Sequence, residues 1–121
     1  MACPSKNPYQ KAFSRTTLKK RFDFLKVAQE GRKAVMPSLI LQFSSKKESV
    51  EPRFGFTATR KIGSSVVRNR ARRRLRAVID STLKDTCLNP GDYVLVARSQ
   101  TSLVSFHVLM NDFKKALTYA A

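Results

Sequence analysis

The sequence predicts an α/β (α+β) two-layer sandwich, a small mixed sheet of about four strands with three helices. Three observations support this. Apolar residues recur at helical spacing in three separate stretches, they alternate with period two in the segments between, and the resulting order is helix, strands, helix, strand, helix. A chain of 121 residues with 42% hydrophobic content supports one modest core, so we expect a basic N-terminal arm over 1–16 and a single domain over 17–121.

The arm mixes Pro4, Pro8, Lys6 and Lys11 with Ser, Thr and Asn and shows no apolar periodicity, which predicts loose order until a partner is met. Between Lys19 and Gln29, the residues Phe24, Leu25, Val27 and Ala28 step at helical spacing, and Gly31 stands where a helix ends. Leu39, Leu41 and Phe43 then alternate with Ile40, Gln42 and Ser44, the pattern of a strand with one buried face. Arg53 to Arg60 alternates again, with Phe54, Phe56 and Ala58 on one side. The simplest pairing is a hairpin between these two strands, with an additional short strand near Ala34–Met36.

Gly63 interrupts the strand pattern, and Ser64 or Ser65 is placed to cap a long helix from about Ser65 to Lys84. After the turn residues Asn89-Pro90-Gly91-Asp92, Tyr93 to Arg98 is apolar enough to be a strand buried on both faces. Leu103, Phe106, Met110, Phe113 and Leu117 mark a closing amphipathic helix that ends near Tyr119.

Charge narrows the function. Lys and Arg number 24 against 8 Asp and Glu, a formal net charge of +16, well beyond what solubility requires. The partners this surface selects are polyanions. The longest apolar run, Tyr93–Ala97, is far short of the roughly 20 residues of a membrane span, and the N-terminus has no apolar signal segment. We therefore expect a cytoplasmic protein with no membrane partner. Cys3 and Cys87 lack metal-ligand spacing, so reduced thiols and no protein-held metal are expected. His107 is the only histidine and has no evident nucleophile beside it; the acids form no paired cluster, so no catalytic residue is assigned.

The basic charge is concentrated. Eight basic residues and no acid lie between Arg60 and Arg76, a third of all the Lys and Arg in 17 positions. On a helical wheel, Val67, Ala71, Leu75, Val78 and Ile79 form the apolar stripe. Asn69, Arg70, Arg73 and Arg76 lie away from it, and Arg68 and Arg72 border it. A merely solvated face would mix signs, because opposite charges at i,i+4 stabilise a helix by about 0.2–0.5 kcal/mol per pair and like charges cost as much. Phosphates relieve that repulsion, and guanidinium groups grip them with two donors at once. Arg68, Arg70, Arg72, Arg73 and Arg76 are the first-choice phosphate ligands. No recognition-helix pair or zipper suggests duplex DNA, and a mixed sheet face suits unstacked nucleotides, so RNA is favoured and no DNA is expected. A small ribosomal protein and a DNA-binding regulator are the competing readings.

The string Arg60-Lys61-Ile62-Gly63-Ser64-Ser65-Val66-Val67-Arg68-Asn69-Arg70-Ala71-Arg72-Arg73-Arg74-Leu75-Arg76 resembles the signature of the bacterial ribonuclease P protein family. Leu18-Lys19-Lys20 with Asp23-Phe24 and Gly31 is similar to that family's first helix, and Gly91-Asp92-Tyr93 leading to Ala97-Arg98 is similar to its last strand. The likeness runs from about Leu18 to Tyr119.

The resemblance implies a left-handed strand–helix–strand crossover, against the right-handed sense of about 98% of such connections. It also implies a role as the non-catalytic subunit of an endoribonuclease. The centre of that enzyme is a partner RNA that uses Mg2+ to remove the 5′ leader of precursor tRNA. By likeness, Arg60, Lys61, Arg68, Asn69, Arg70, Arg72, Arg73 and Arg76 face the catalytic RNA. A cleft between the first helix and the sheet, with Phe24, Gln42, Arg53, Thr57 and Thr59, takes the single-stranded leader. Ala28 and Gln42 depart from the family, many of whose members carry aromatic residues there. That departure implies either a weaker leader grip or one resting on Arg53, Lys61, Thr57 and Thr59.

Overall fold

The computed structural model describes residues 16–17, 21–44, 52–86 and 88–120. The arm over 1–15 lies outside the described residues, as do Cys3 and Cys87. The elements in chain order are β1 (Thr16–Thr17), α1 (Arg21–Glu30), β2 (Arg32–Val35), β3 (Leu39–Ser44), β4 (Pro52–Thr57), a 3-10 turn (Arg60–Ile62), α2 (Ser65–Asp85), β5 (Gly91–Ala97) and α3 (Phe106–Ala120). They form one mixed sheet in the order β1-β4-β5-β3-β2, in which β1 is a two-residue edge piece beside four longer strands.

The expected β3–β4 hairpin does not form. β5 lies between the two strands, antiparallel to β3 in the register Leu41↔Leu95 and parallel to β4 in the register Phe56↔Leu95. The hairpin is instead β2–β3, closed by Met36 N–H donating to the Leu39 carbonyl at 2.9 Å. The composition of β5 explains the arrangement. A strand that is apolar on both sides loses least by standing in the sheet's centre, where neighbours on either edge and helices on either face exclude water. Its first five residues are all buried, whereas in β2 on the edge only Ala34 is.

Alternation along the strands assigns the two faces. Leu39, Leu41, Phe54, Tyr93 and Leu95 point to the side covered by α2 and α3, where they join Ala71, Leu75, Val78, Ile79, Leu109 and Phe113 in the main core. Among the described residues the opposite face carries α1 alone, through a small cluster of Val27 and Val94 with Phe24 and Val96 packed against it. Burial also raises the Tyr93 phenol well above its usual pKa, and its hydroxyl donates to the Asn89 carbonyl at 2.7 Å.

The closing helix departs from the expected stripe. It starts at Phe106, so Leu103 precedes it and is exposed, and its buried positions are Leu109, Asp112, Phe113 and Ala116. Asp112 is in the stripe because it accepts from the Ser38 hydroxyl at 2.6 Å and the Ser38 amide at 3.2 Å, tying α3 to the β2–β3 turn. A buried carboxylate with two donors is acceptable where an unpaired one would not be.

Candidate RNA-binding surface

The strand β4 stops at Thr57, short of the expected Arg60. Arg60 and Lys61 sit on the 3-10 turn, both exposed, and Gly63 ends it at φ +143°, a conformation that L side chains rarely adopt. Ser64 then caps α2 by accepting from the Val67 amide at 3.4 Å. A cap and a glycine thus fix where the arginine helix begins and which way its faces point.

The helix presents most of its residues as the wheel places them, but Arg76, expected on the outward side, and Val67, expected in the buried stripe, are both half-buried. Ala71, Leu75, Val78 and Ile79 are buried, Asn69, Arg70 and Arg73 are exposed, and Val67, Arg68, Arg72 and Arg76 lie between. No carboxylate among the described residues pairs with Arg60, Lys61, Arg68, Arg70, Arg72, Arg73 or Arg76. Asn69 Oδ1 accepts from Arg72 at 2.6 Å, which leaves the Asn69 amide NH2 as a donor and steadies the guanidinium. Arg76 lies over the Phe56 ring at 5.6 Å, a cation–π contact that holds the charge at the sheet edge. Arg68 Nε is shielded from solvent without an acceptor among the described residues.

Of the residues expected in the cleft, Phe24 and Thr57 share an open groove of about 420 Å³, lined also by Arg21, Leu25, Phe56, Ala58 and Arg72. Gln42 is half-buried on the same sheet face, opposite Val94. Thr59 is exposed beyond the end of the strand. Arg53 is the exception. Its Nε and Nη2 each donate to an Asp92 carboxylate oxygen at 2.9 Å, and the Asp92 side chain is only 2% exposed. The register Arg53↔Asp92 across two parallel strands brings the pair together, so two of this guanidinium's nitrogens are engaged by the fold itself.

A family model described as Ribonuclease P matches residues 13–121. The chain belongs to the ribonuclease P protein family. It is 45% identical over 103 residues to the ribonuclease P protein component of Gluconacetobacter diazotrophicus, covering 85% of this chain and 89% of that one. It is 40% identical over 104 residues to that of Paramagnetospirillum magneticum, covering 83% and 78%. The fold matches the ribonuclease P protein from Thermotoga maritima with a TM-score of 0.74 at 23% identity, over 88% of this chain and 99% of that one. It matches that of Staphylococcus aureus with the same score at 20% identity, over 87% and 94%.

Two features of this family member escape sequence reasoning. Arg74 belongs to the basic run but faces inward to the next loop, donating to the carbonyls of Ser102 at 3.1 Å and Val104 at 2.5 Å. Arg21 joins the groove that Phe24 and Arg72 also line. Neither placement has a local signal, since each depends on contacts between elements distant in sequence.

Proposed function

We propose that this chain is the protein component of ribonuclease P, which binds the catalytic RNA and the 5′ leader of precursor tRNA. In that role it assists the magnesium-dependent endonucleolytic cut that leaves the mature tRNA 5′ end. The observation that carries this reading is the row of guanidinium groups on α2 that no carboxylate among the described residues neutralises. Membership of the family supports it over a ribosomal protein or a DNA-binding regulator.

In this reading Arg68, Asn69, Arg70, Arg72, Arg73 and Arg76, with Arg60 and Lys61 at the foot of the helix, take phosphates of the catalytic RNA. The groove between α1 and the end of β4 takes the leader. Phe24 packs against the Val27–Val94 cluster and also lines the groove, where a base stacked on it gains about 1–3 kcal/mol. Thr57 and Thr59 supply hydroxyl donors, and Arg21 and Arg72 supply positive charge to the groove.

Magnesium belongs on the RNA in this proposal. Among the described residues no group of three or more His, Cys, Asp or Glu is placed to hold a metal ion, and the proposal assigns the ion's ligands to RNA phosphates and water. His107 is exposed on α3 and contacts Asn111 at 3.2 Å, which gives it no nucleophile to activate. The same described residues contain no helix long and apolar enough to cross a membrane.

Reconstitution tests the proposal. Added to a ribonuclease P RNA at low magnesium, the protein is expected to raise the rate of precursor-tRNA cleavage, and to do so more for substrates with a 5′ leader of several nucleotides than for those with one. Cleavage unchanged by the protein at every magnesium concentration overturns it.

A further inference from the structure

Besides the groove beside α1, a second one opens on the other flank of α2, between that helix and the first turn of α3. It measures about 460 Å³ and is lined by Arg70, Arg73, Arg74, Ala77 and Phe106. We propose that it seats a single unpaired nucleotide of the partner RNA, with the base on the Phe106 ring and the flanking phosphates on Arg70 and Arg73. The inference rests on the RNA-binding role argued above and adds a base-reading element to a helix otherwise suited only to phosphates.

Three observations carry it. The groove is built rather than incidental: Arg74 fastens the 102–104 loop to α2 through two carbonyls, and Thr101 bonds to both the Ser38 carbonyl and the Arg98 amide. The loop is therefore rigid where it delivers Phe106, and little ordering entropy remains to be lost on binding. Second, Phe106 is 39% exposed at the start of α3 while the helix's core positions are filled by Leu109, Phe113 and Ala116, so the fold does not need this ring. Third, the lining holds three arginines and no acid, and Arg70 and Arg73 are exposed with no partner among the described residues.

The chemistry of the lining selects the occupant. An aromatic face stacks on any nucleobase, and guanidinium pairs beside it take phosphate bidentately. Ala77, small and exposed on α2, leaves the floor open for a planar ring. An acidic peptide would use the two arginines but leave the ring idle. The volume falls within the range of about 300–1,000 Å³ typical of clefts that hold ligand-sized groups.

The chain contains no tryptophan, so Phe106→Trp introduces a single tryptophan at the seat, which can be excited selectively over the three tyrosines. We expect F106W to bind a ribonuclease P RNA transcript within about twofold of the unsubstituted protein, and its emission to be quenched at saturation. Phe106→Leu, which keeps apolar bulk but removes the ring, should bind about 5- to 150-fold more weakly, with an unchanged melting temperature. If F106L binds as the unsubstituted protein does, or F106W is not quenched while RNA is bound, the nucleotide seat is refuted and the phosphate-binding role of α2 survives. If polyglutamate quenches F106W as strongly as RNA, the occupant is an acidic peptide and the proposal fails. If the unsubstituted protein does not bind the RNA at all, the functional reading falls, and this inference with it.

Discussion

Arg53 and Arg74 differ from Arg70 and Arg73 in what they touch, although all four are the same residue in the same strongly basic chain. Arg53 holds a nearly buried carboxylate with two bonds of 2.9 Å, and Arg74 holds two loop carbonyls. Arg70 and Arg73 stand in solvent with no described partner. The lesson is that count and position of positive charge do not divide structure from function in such a protein; the division follows from which guanidinium groups the fold itself satisfies.

Substitutions can break or sharpen this division. Among the arginines the largest effect should come from Arg53→Ala, which strips Asp92 of its bidentate partner inside the sheet. Removing one member of a buried pair costs about 3–5 kcal/mol, and because Arg53 is itself 30% exposed we expect the lower end, about 3 kcal/mol, in a denaturant unfolding curve. Leu75→Ala, in the fully buried stripe of α2, provides a core reference at about 2–5 kcal/mol. Arg74→Ala should follow at about 2 kcal/mol, because hydrogen bonds from a charged donor are each worth roughly 1.5–3 kcal/mol and water replaces part of the loss. Hydrogen exchange at 102–104 should rise in that variant before the rest of the fold opens.

The pair Arg68→Ala with Arg70→Ala should behave oppositely, with stability within about 0.5 kcal/mol of the parent and weakened RNA binding. Unfolding of that double variant would mean these arginines serve the structure. Smallest of all, Asn69→Ala frees the Arg72 guanidinium and is expected to lower RNA affinity by a few-fold, about 1 kcal/mol for one lost orienting hydrogen bond, as read by filter binding.

Much of this division was legible in the sequence where the cause is local. The apolar stripe of α2 follows from 3.6-residue periodicity, and the serine cap and Gly63 mark its start, so the outward set Asn69, Arg70 and Arg73 could be read directly. The two-sided apolarity of Tyr93 to Ala97 was also visible, and it carried the information that β5 is central. The β3–β4 hairpin was the simpler pairing because short connections are common, but local pattern does not specify which strand lies between two others.

What was not legible depends on register. Arg53 reads as a cleft cation until Asp92, 39 residues away, is placed beside it. Arg74 reads only as one more member of the basic run until the 102–104 loop is folded against it. Phe106 fits the apolar periodicity of α3, yet the helix begins there and the ring is left half outside. Phe56 looks like core and is only partly buried, its ring serving as the seat of Arg76. In each case tertiary geometry decides between two uses that a side chain's chemistry permits equally.

The central claim is that unneutralised guanidinium groups on α2 meet RNA phosphates, and the salt dependence of binding measures it most directly. Plotting log Kd for a ribonuclease P RNA against log salt concentration should give a steep slope, reduced by about one for each of Arg70 and Arg73 replaced by alanine and unchanged in Arg74→Ala. A shallow slope in the parent protein, or one that Arg70→Ala and Arg73→Ala leave untouched, would contradict the account.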